Sequence, residues 1–268
     1  MKTRAITGFF FVAVVLALVL ISSNTFTLFF ILISAICSLE FYKLVKTEDV
    51  QPQIITGLLL MLSITLPLAA YFLNGASFSN LLLSVPFVIL VIIAELYRKH
   101  KNPFHNIAYT IFGVIYAVVP FCFFYAMAYR DGQYSSHYPL AFLIMLWSSD
   151  TGAYLFGISL GKHRLFERHS PKKSWEGFAG GIICSMLAAY IVNIYFTGLP
   201  LIHWLAVAVI IASAGTLGDL SESMLKRSLS TKDSGSFLPG HGGFLDRFDG
   251  LLLAAPLVFV YLHLISTF

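Results

Sequence analysis

Nine long apolar runs limit the folds that this chain can adopt. They lie at about 5–21, 25–42, 53–73, 80–97, 107–129, 139–158, 177–197, 201–222 and 250–267. A transmembrane helix needs roughly 20 mostly apolar residues, so each run is close to the length that crosses a bilayer. Only 11% of the residues are charged, against about 25% in a typical soluble domain. The sequence therefore predicts an all-α polytopic membrane protein with about nine transmembrane helices.

The distribution of basic residues predicts the orientation of these helices. If nine spans start from a cytoplasmic N-terminus, all of the 17 Lys and Arg residues except Arg130 fall on the cytoplasmic side. The positive-inside rule then places the N-terminus inside and the C-terminus outside. The net charge of +4 is ordinary for such a protein and does not indicate nucleic-acid binding.

Two polar loops, at about 159–176 and 223–249, interrupt the last four spans, and both are cytoplasmic in this topology. We expect two regions on this basis. The first, 1–138, contains five membrane helices. The second, 139–268, is a catalytic membrane region of four helices with the two polar loops.

Acidic residues are concentrated in or beside the last four spans, namely Asp150, Glu176, Asp219, Glu222, Asp246 and Asp249. A helix places Asp219 and Glu222 on one face, and the spacing of Asp246 and Asp249 is the same. Carboxylates at several helix ends suit Mg²⁺, which commonly takes one or two carboxylates plus substrate phosphates. We expect Asp219, Asp246 and Asp249 to be the metal ligands. The alternative is that each acid pairs with a neighbouring base or caps a helix.

Two other acids, Glu40 and Glu95, lie near span ends with Lys43 and Arg98 close by, and we interpret both as ordinary.

Basic residues and glycines in the second polar loop are suited to phosphate. Lys226 and Lys232 supply point charges and Arg227 a planar donor fork, while glycines allow a backbone to approach phosphate closely. Lys172 and Lys173 form a second basic turn before the seventh span. The alternative for these lysines is contact with anionic lipid. A further residue of this loop, His241, is a candidate general base, phosphate donor or simple turn residue.

The second polar loop resembles the signature of the phosphatidate cytidylyltransferases, over 27 consecutive residues. The matching positions are Ser223, Leu225, Lys226, Arg227, Lys232, Asp233, Gly235, Leu238, Pro239, His241, Gly242, Gly243, Phe244, Asp246, Arg247, Phe248 and Asp249. Three further segments look similar to this family, at 149–154, 170–177 and 218–223. The resemblance covers roughly the last 120 residues, whereas the first five spans match only in hydrophobicity.

The resemblance implies the reaction CTP + phosphatidate → CDP-diacylglycerol + pyrophosphate. From the acidic and basic residues we expect Mg²⁺ as cofactor and catalytic roles for Asp219, Asp246, Lys226 and Arg227. We expect the following residues to bind substrate: Lys172, Lys173, Ser223, Lys232, Asp233, His241, Gly242, Gly243 and Arg247. We expect the protein in a bacterial inner membrane, with its site facing the cytoplasm, where a lipid and a water-soluble nucleotide meet. A homodimer is one assembly that we consider.

Two other functions are compatible with parts of the sequence. One is another CTP-using lipid enzyme, such as a polyprenol kinase-like protein or a synthase acting on ether lipids. The other is a transporter whose intramembrane acids carry protons or cations. A transporter should place its acids near mid-bilayer and show related halves, whereas these acids cluster toward one interface and no inverted repeat is evident. The sequence also has no GxxxxGK[ST] motif, so phosphate chemistry here needs a different kind of site.

Overall fold

The computed structural model describes residues 2–231, 235 and 242–266, with side chains of the first helix described from Thr7 onward. The described chain is almost entirely helical. Its first part contains α1 (Lys2–Ile21), α2 (Ser23–Val45), α3 (Ile54–Asn74), a 3₁₀ helix (Phe78–Leu83), α4 (Ser84–Leu96), α5 (Pro103–Ala117) and α6 (Val119–Met127). Its second part contains α7 (His137–Leu160), β1 (Arg164–Phe166), β2 (Ser170–Ser174), α8 (Trp175–Tyr195), α9 (Leu201–Ser228) and α10 (Leu245–Ser266).

Each predicted span corresponds to a helix. Within the described residues, eight helical segments are long and apolar enough to cross a membrane, and Thr7–Ile21 is a shorter apolar helix at the position of the first predicted span. The 3₁₀ helix and α4 together form one of these segments, and α5 and α6 form another. The break between α5 and α6 precedes Pro120, because proline has no N–H to donate and its ring clashes with the preceding turn. The prediction of an all-α polytopic membrane protein is confirmed.

Within the described residues, a short β-hairpin lies between helices α7 and α8. Strands β1 and β2 pair antiparallel, with Arg164 opposite Ser174 and Phe166 opposite Ser170. The sequence predicted only a polar loop here. Neither strand shows the alternation of apolar and polar residues that marks a half-buried strand.

The contacts divide the chain into two compact units. Unit 1 consists of Met1–Ala126 and Asp233–Arg247, and unit 2 consists of Met127–Lys232 and Phe248–Phe268. The first three residues of α10 therefore belong to unit 1, and the rest of this helix belongs to unit 2.

Unit 1 has an aromatic core and a buried polar network. The rings of Phe30 and Tyr125 stack with their centroids 4.4 Å apart. The buried carboxylate of Glu95 accepts hydrogen bonds from Nε2 of Gln53 (2.6 Å), Nδ2 of Asn106 (2.6 Å) and Nη1 of Arg98 (2.9 Å). These bonds connect the residue before α3 with α4 and α5, so Glu95 stabilises this end of the bundle.

Unit 2 is built on closely packed helices. A methyl group on Gly152 of α7 would lie 2.6 Å from the Cβ of Cys184 of α8. That close approach of α7 to α8 requires glycine at position 152. On another side of unit 2, the rings of Tyr138 and Trp204 stack at 5.9 Å.

Candidate active site

Charged side chains from separate elements of unit 2 meet around Asp219. The Nζ of Lys173 on β2 lies 2.7 Å from Oδ2 of Asp219 on α9 and donates to the carbonyl oxygen of Thr216 (3.2 Å). The hydroxyl of Ser223 donates to Oδ1 of Asp219 (3.3 Å). Asp219 therefore has both of its oxygens engaged, one by a cation and one by a neutral donor.

Hydrogen bonds fix both ends of the β-hairpin, and this positions Lys173 on β2. At the start of α8, the hydroxyl of Ser174 accepts from the N–H of Gly177 (3.1 Å), as an N-cap does. At the other end of the hairpin, the carboxylate of Glu176 accepts from the N–H groups of Lys162 (3.1 Å) and His163 (3.2 Å). It also contacts Nδ1 of His163 at 2.6 Å. Glu176, one of the acids grouped with the candidate ligands, thus closes the hairpin.

Helices α9 and α10 approach each other closely beside Asp219. A methyl group on Gly218 would overlap the backbone carbonyl of Asp249 and would lie 3.2 Å from the Cα of Gly250. The side chain of Asp249 accepts from the N–H of Gly250 (2.6 Å). Only a residue without a side chain at 218 allows this approach, which brings the two acids of neighbouring helices into one region.

The electrostatic surroundings of Asp249 are negative. Its carboxylate is half-buried, and the carboxylates of Asp219 and Asp150 act on it electrostatically, with the ammonium of Lys173 as the opposing charge. Like charges gathered in a partly desolvated region raise the energy of the ionised groups, and a bound cation relieves this repulsion. The arrangement therefore favours binding of a cation.

The oxygen donors of unit 2 fit a Mg²⁺ site in which the substrate supplies some of the ligands. Within the residues that the structure describes, no group of three or more His, Cys, Asp or Glu side chains is arranged as a complete metal site. Mg²⁺ does not need one, because it is usually held by one or two carboxylates together with substrate phosphates and water. Asp219 and Asp249 supply oxygen ligands of the right type for such a shared site.

Further along α9, a buried ion pair joins two polar residues. The side chain of Glu222 is fully buried, and its Oε2 lies 3.3 Å from Nζ of Lys226. Lys226 is thus held against the helix. The next residue, Arg227, is exposed near the end of α9, where its planar donor fork is accessible to a ligand.

Residues 233–247 of the signature segment, which is the second polar loop at 223–249, lie in unit 1. Gly242 has a φ of +80°, and a Cβ there would lie 2.6 Å from Oδ2 of Asp246. The same carboxylate oxygen accepts from the N–H of Gly243 (2.8 Å). Both the backbone conformation and the space therefore require glycine at 242. The N–H of Gly243, which the sequence suggested for phosphate, is engaged by Asp246.

The remaining predicted site residues have different placements. Lys172 and Arg247 are exposed, and Lys232, Asp233 and His241 lie outside the described residues. Sequence reasoning left two further acids out of the candidate residues, one in each unit. Asp150 acts on Asp249 in unit 2, and its signal was an acid within an apolar run. Glu40, interpreted as ordinary, is buried in α2 and bonded to the start of α10; its signal was also an acid in an apolar run.

Comparisons with known proteins all point to one family, and most of them cover nearly the whole chain. The model of the cytidylyltransferase family matches residues 2–265. The phosphatidate cytidylyltransferase of Bacillus subtilis (strain 168) is 34% identical over 268 residues, covering 99% of each chain. That of Staphylococcus haemolyticus (strain JCSC1435) is 36% identical over 268 residues, covering 98% of this chain and 99% of the relative. That of Staphylococcus aureus (strain COL) is 39% identical over 183 residues, or 68% of each chain.

Proposed function

The chain belongs to the cytidylyltransferase family, and on that premise we propose that it is a phosphatidate cytidylyltransferase of phospholipid biosynthesis. It converts CTP and phosphatidate to CDP-diacylglycerol and pyrophosphate. The observation that carries this function is the full-length similarity to relatives of that name. The cluster of Lys173, Asp219 and Asp249 in a polytopic membrane protein supports it, because charge of both signs meets there beside apolar helices.

The chemistry needs no nucleophile from the protein. A phosphate oxygen of phosphatidate attacks the α-phosphorus of CTP and forms the new P–O bond. The bond from that phosphorus to the oxygen bridging the α- and β-phosphates breaks, and pyrophosphate leaves with the electron pair. The task of the protein is to align the two phosphates and to neutralise their charge.

We propose that Asp219 and Asp249 hold Mg²⁺ together with the phosphates of CTP, and that Asp246, chosen from its spacing in the sequence, is a third ligand. The ion would supply positive charge to the phosphate oxygens. The basic residues act on the same oxygens. Lys173 extends its ammonium to the carboxylate cluster, and Arg227 presents an exposed guanidinium. Lys172, Lys226, Lys232 and Arg247 complete the proposed phosphate-binding set, and Ser223, Asp233, His241, Gly242 and Gly243 the substrate-binding set.

The location follows from the basic residues and the relatives. All Lys and Arg residues except Arg130 fall on one side of the predicted topology, and the relatives are bacterial. We therefore propose a bacterial inner-membrane protein with its site at the cytoplasmic face. A homodimer stays a prediction, which native mass spectrometry of the detergent-solubilised protein would test.

Labelled CTP distinguishes this function from that of a polyprenol kinase and from that of a transporter. Purified protein is incubated with phosphatidate, Mg²⁺ and CTP that carries label at either the α- or the γ-phosphate. Cytidylyl transfer moves only the α-label into lipid. A polyprenol kinase supplied with polyprenol would move the γ-label, and a transporter would label no lipid. Diacylglycerol in place of phosphatidate is the negative control, since it has no phosphate to attack CTP.

A further inference from the structure

A buried acid of α2 contacts the first residue of α10. Glu40 is only 5% exposed. The Oε2 atom of Glu40 accepts a hydrogen bond from the N–H of Leu245 at 2.8 Å. The first N–H groups of a helix have no partner within the helix, and a negative charge there interacts favourably with the helix dipole. Glu40 thus caps α10 from another helix of unit 1.

The same side chain also lies close to Gly235, in the middle of the signature segment. A Cβ built on Gly235 would lie 3.1 Å from Oε1 of Glu40. Within the described part of the chain, this buried Oε1 has no hydrogen-bond partner. Burying a carboxylate costs free energy unless it is paired, so this charge is not explained by packing alone. Glu40 therefore lies close to two described positions of the signature segment, Gly235 and Leu245.

The position of Asp246 depends on the same helix start. Asp246 follows Leu245 directly and accepts from the N–H of Gly243. A shift of Leu245 would therefore move the backbone of Asp246 and the turn that its carboxylate holds. All of these contacts lie within unit 1.

We propose that Glu40 is a positioning residue of the enzyme: it holds the start of α10, beside Gly235, and so orients Asp246 for CTP. This inference rests on the proposed function. It assigns a role in the reaction to the N-terminal helices, for which the sequence offered only hydrophobicity.

Two variants of Glu40 and a matched control test the proposal. Glu40→Ala removes the acceptor and the charge, whereas Glu40→Gln keeps an acceptor of the same length and removes the charge. The control is Glu95→Gln, because Glu95 is also a buried carboxylate of unit 1, and its bonds join Gln53, Arg98 and Asn106 rather than the signature segment. Hydrogen exchange of peptides covering 242–252 and steady-state kinetics in CTP are measured for each.

We expect faster exchange at the start of α10 in Glu40→Ala, a smaller increase in Glu40→Gln, and no change there in Glu95→Gln. We also expect Glu40→Ala to raise the KM for CTP, with kcat/KM falling about tenfold, which is the effect of one charge-assisted contact. A merely structural residue would lower the yield of folded enzyme and leave this KM unchanged.

The outcomes separate the two proposals. An inactive wild-type protein would contradict the proposed function, whereas the exchange data would still test the contact between Glu40 and Leu245. An active wild type, with Glu40 variants that match Glu95→Gln in KM and in exchange at 242–252, would overturn the positioning role. If Glu40→Ala does not fold, Glu40→Gln carries the test by the same criteria.

Discussion

Lys173 and Asp219 form an ion pair of 2.7 Å between strand β2 and helix α9. The pair connects two segments that resemble the same family signature but lie far apart along the chain. Because the side chain of Asp219 is 41% exposed, solvent weakens the stabilisation that the pair provides. The pair is therefore important mainly because it positions the side chain of Lys173. The pair holds an ammonium beside the carboxylates that we propose as ligands of Mg²⁺.

Removing the charge of Asp219 should abolish most of the activity. Asp219→Asn keeps the size of the side chain but removes a proposed metal ligand and the partner of Lys173. We expect kcat/KM to fall by about a hundredfold or more, since at least one charge-assisted contact of about 1.5–3 kcal/mol is lost together with a metal ligand. The measurement is CTP turnover over a range of Mg²⁺ concentrations. Asp131→Asn, an exposed acid beside Arg130, is the control, and normal turnover with normal Mg²⁺ dependence in Asp219→Asn would contradict the assignment.

Lys173→Ala should weaken catalysis without unfolding the protein. The ammonium of Lys173 is the cation nearest to Asp219 among the described ion pairs, so its loss leaves the carboxylates and the phosphates of CTP less neutralised. We expect kcat/KM to fall by about ten- to a hundredfold. Lys99→Ala, at an exposed position in the loop after α4, should retain wild-type kinetics. If the two variants behaved alike in detergent-purified enzyme, Lys173 would be only a lipid anchor.

Gly218→Ala should separate α9 from α10. The added methyl group would overlap the carbonyl of Asp249, so the helices must move apart. Overpacking of this kind costs about 1–3 kcal/mol, and the movement shifts Asp249 relative to Asp219. We expect a lower Tm together with a lower kcat/KM. In Gly198→Ala the new Cβ meets only the hydroxyl of Tyr138 at 3.5 Å, an ordinary contact. This control should change neither quantity, and a Gly218→Ala enzyme with wild-type Tm would show that the helices do not need this approach.

Cysteine accessibility should place both polar loops in the cytoplasm and the chain end after α10 outside. The test places single cysteines in the loops at 159–176 and 223–249, and at the chain end after α10, in a background without Cys37, Cys122 and Cys184. Both loops should react only with reagent that reaches the cytoplasm, because they carry many of the basic residues. The chain end should react from outside. A cytoplasmic chain end would contradict the nine-span topology.

The sequence by itself determined the helices and the family. Runs of about 20 apolar residues can satisfy their backbone groups in a bilayer only as helices, given that no strand pattern suggests a closed barrel. The nine runs accordingly correspond to helices in the structure. The signature residues identified the family because they are close together along the chain, so their pattern can be recognised without knowing the packing.

Only the tertiary structure decided which charges meet. The pairing of Lys173 with Asp219, and the bond between Glu40 and the N–H of Leu245, join residues on different elements. Neither apolar periodicity nor local spacing contains that information. Such contacts depend on how closely the helices approach, and that approach depends on single positions such as Gly218, where one methyl group would push two helices apart. The sequence therefore supplied the candidate carboxylates, and helix packing selected which of them lie together.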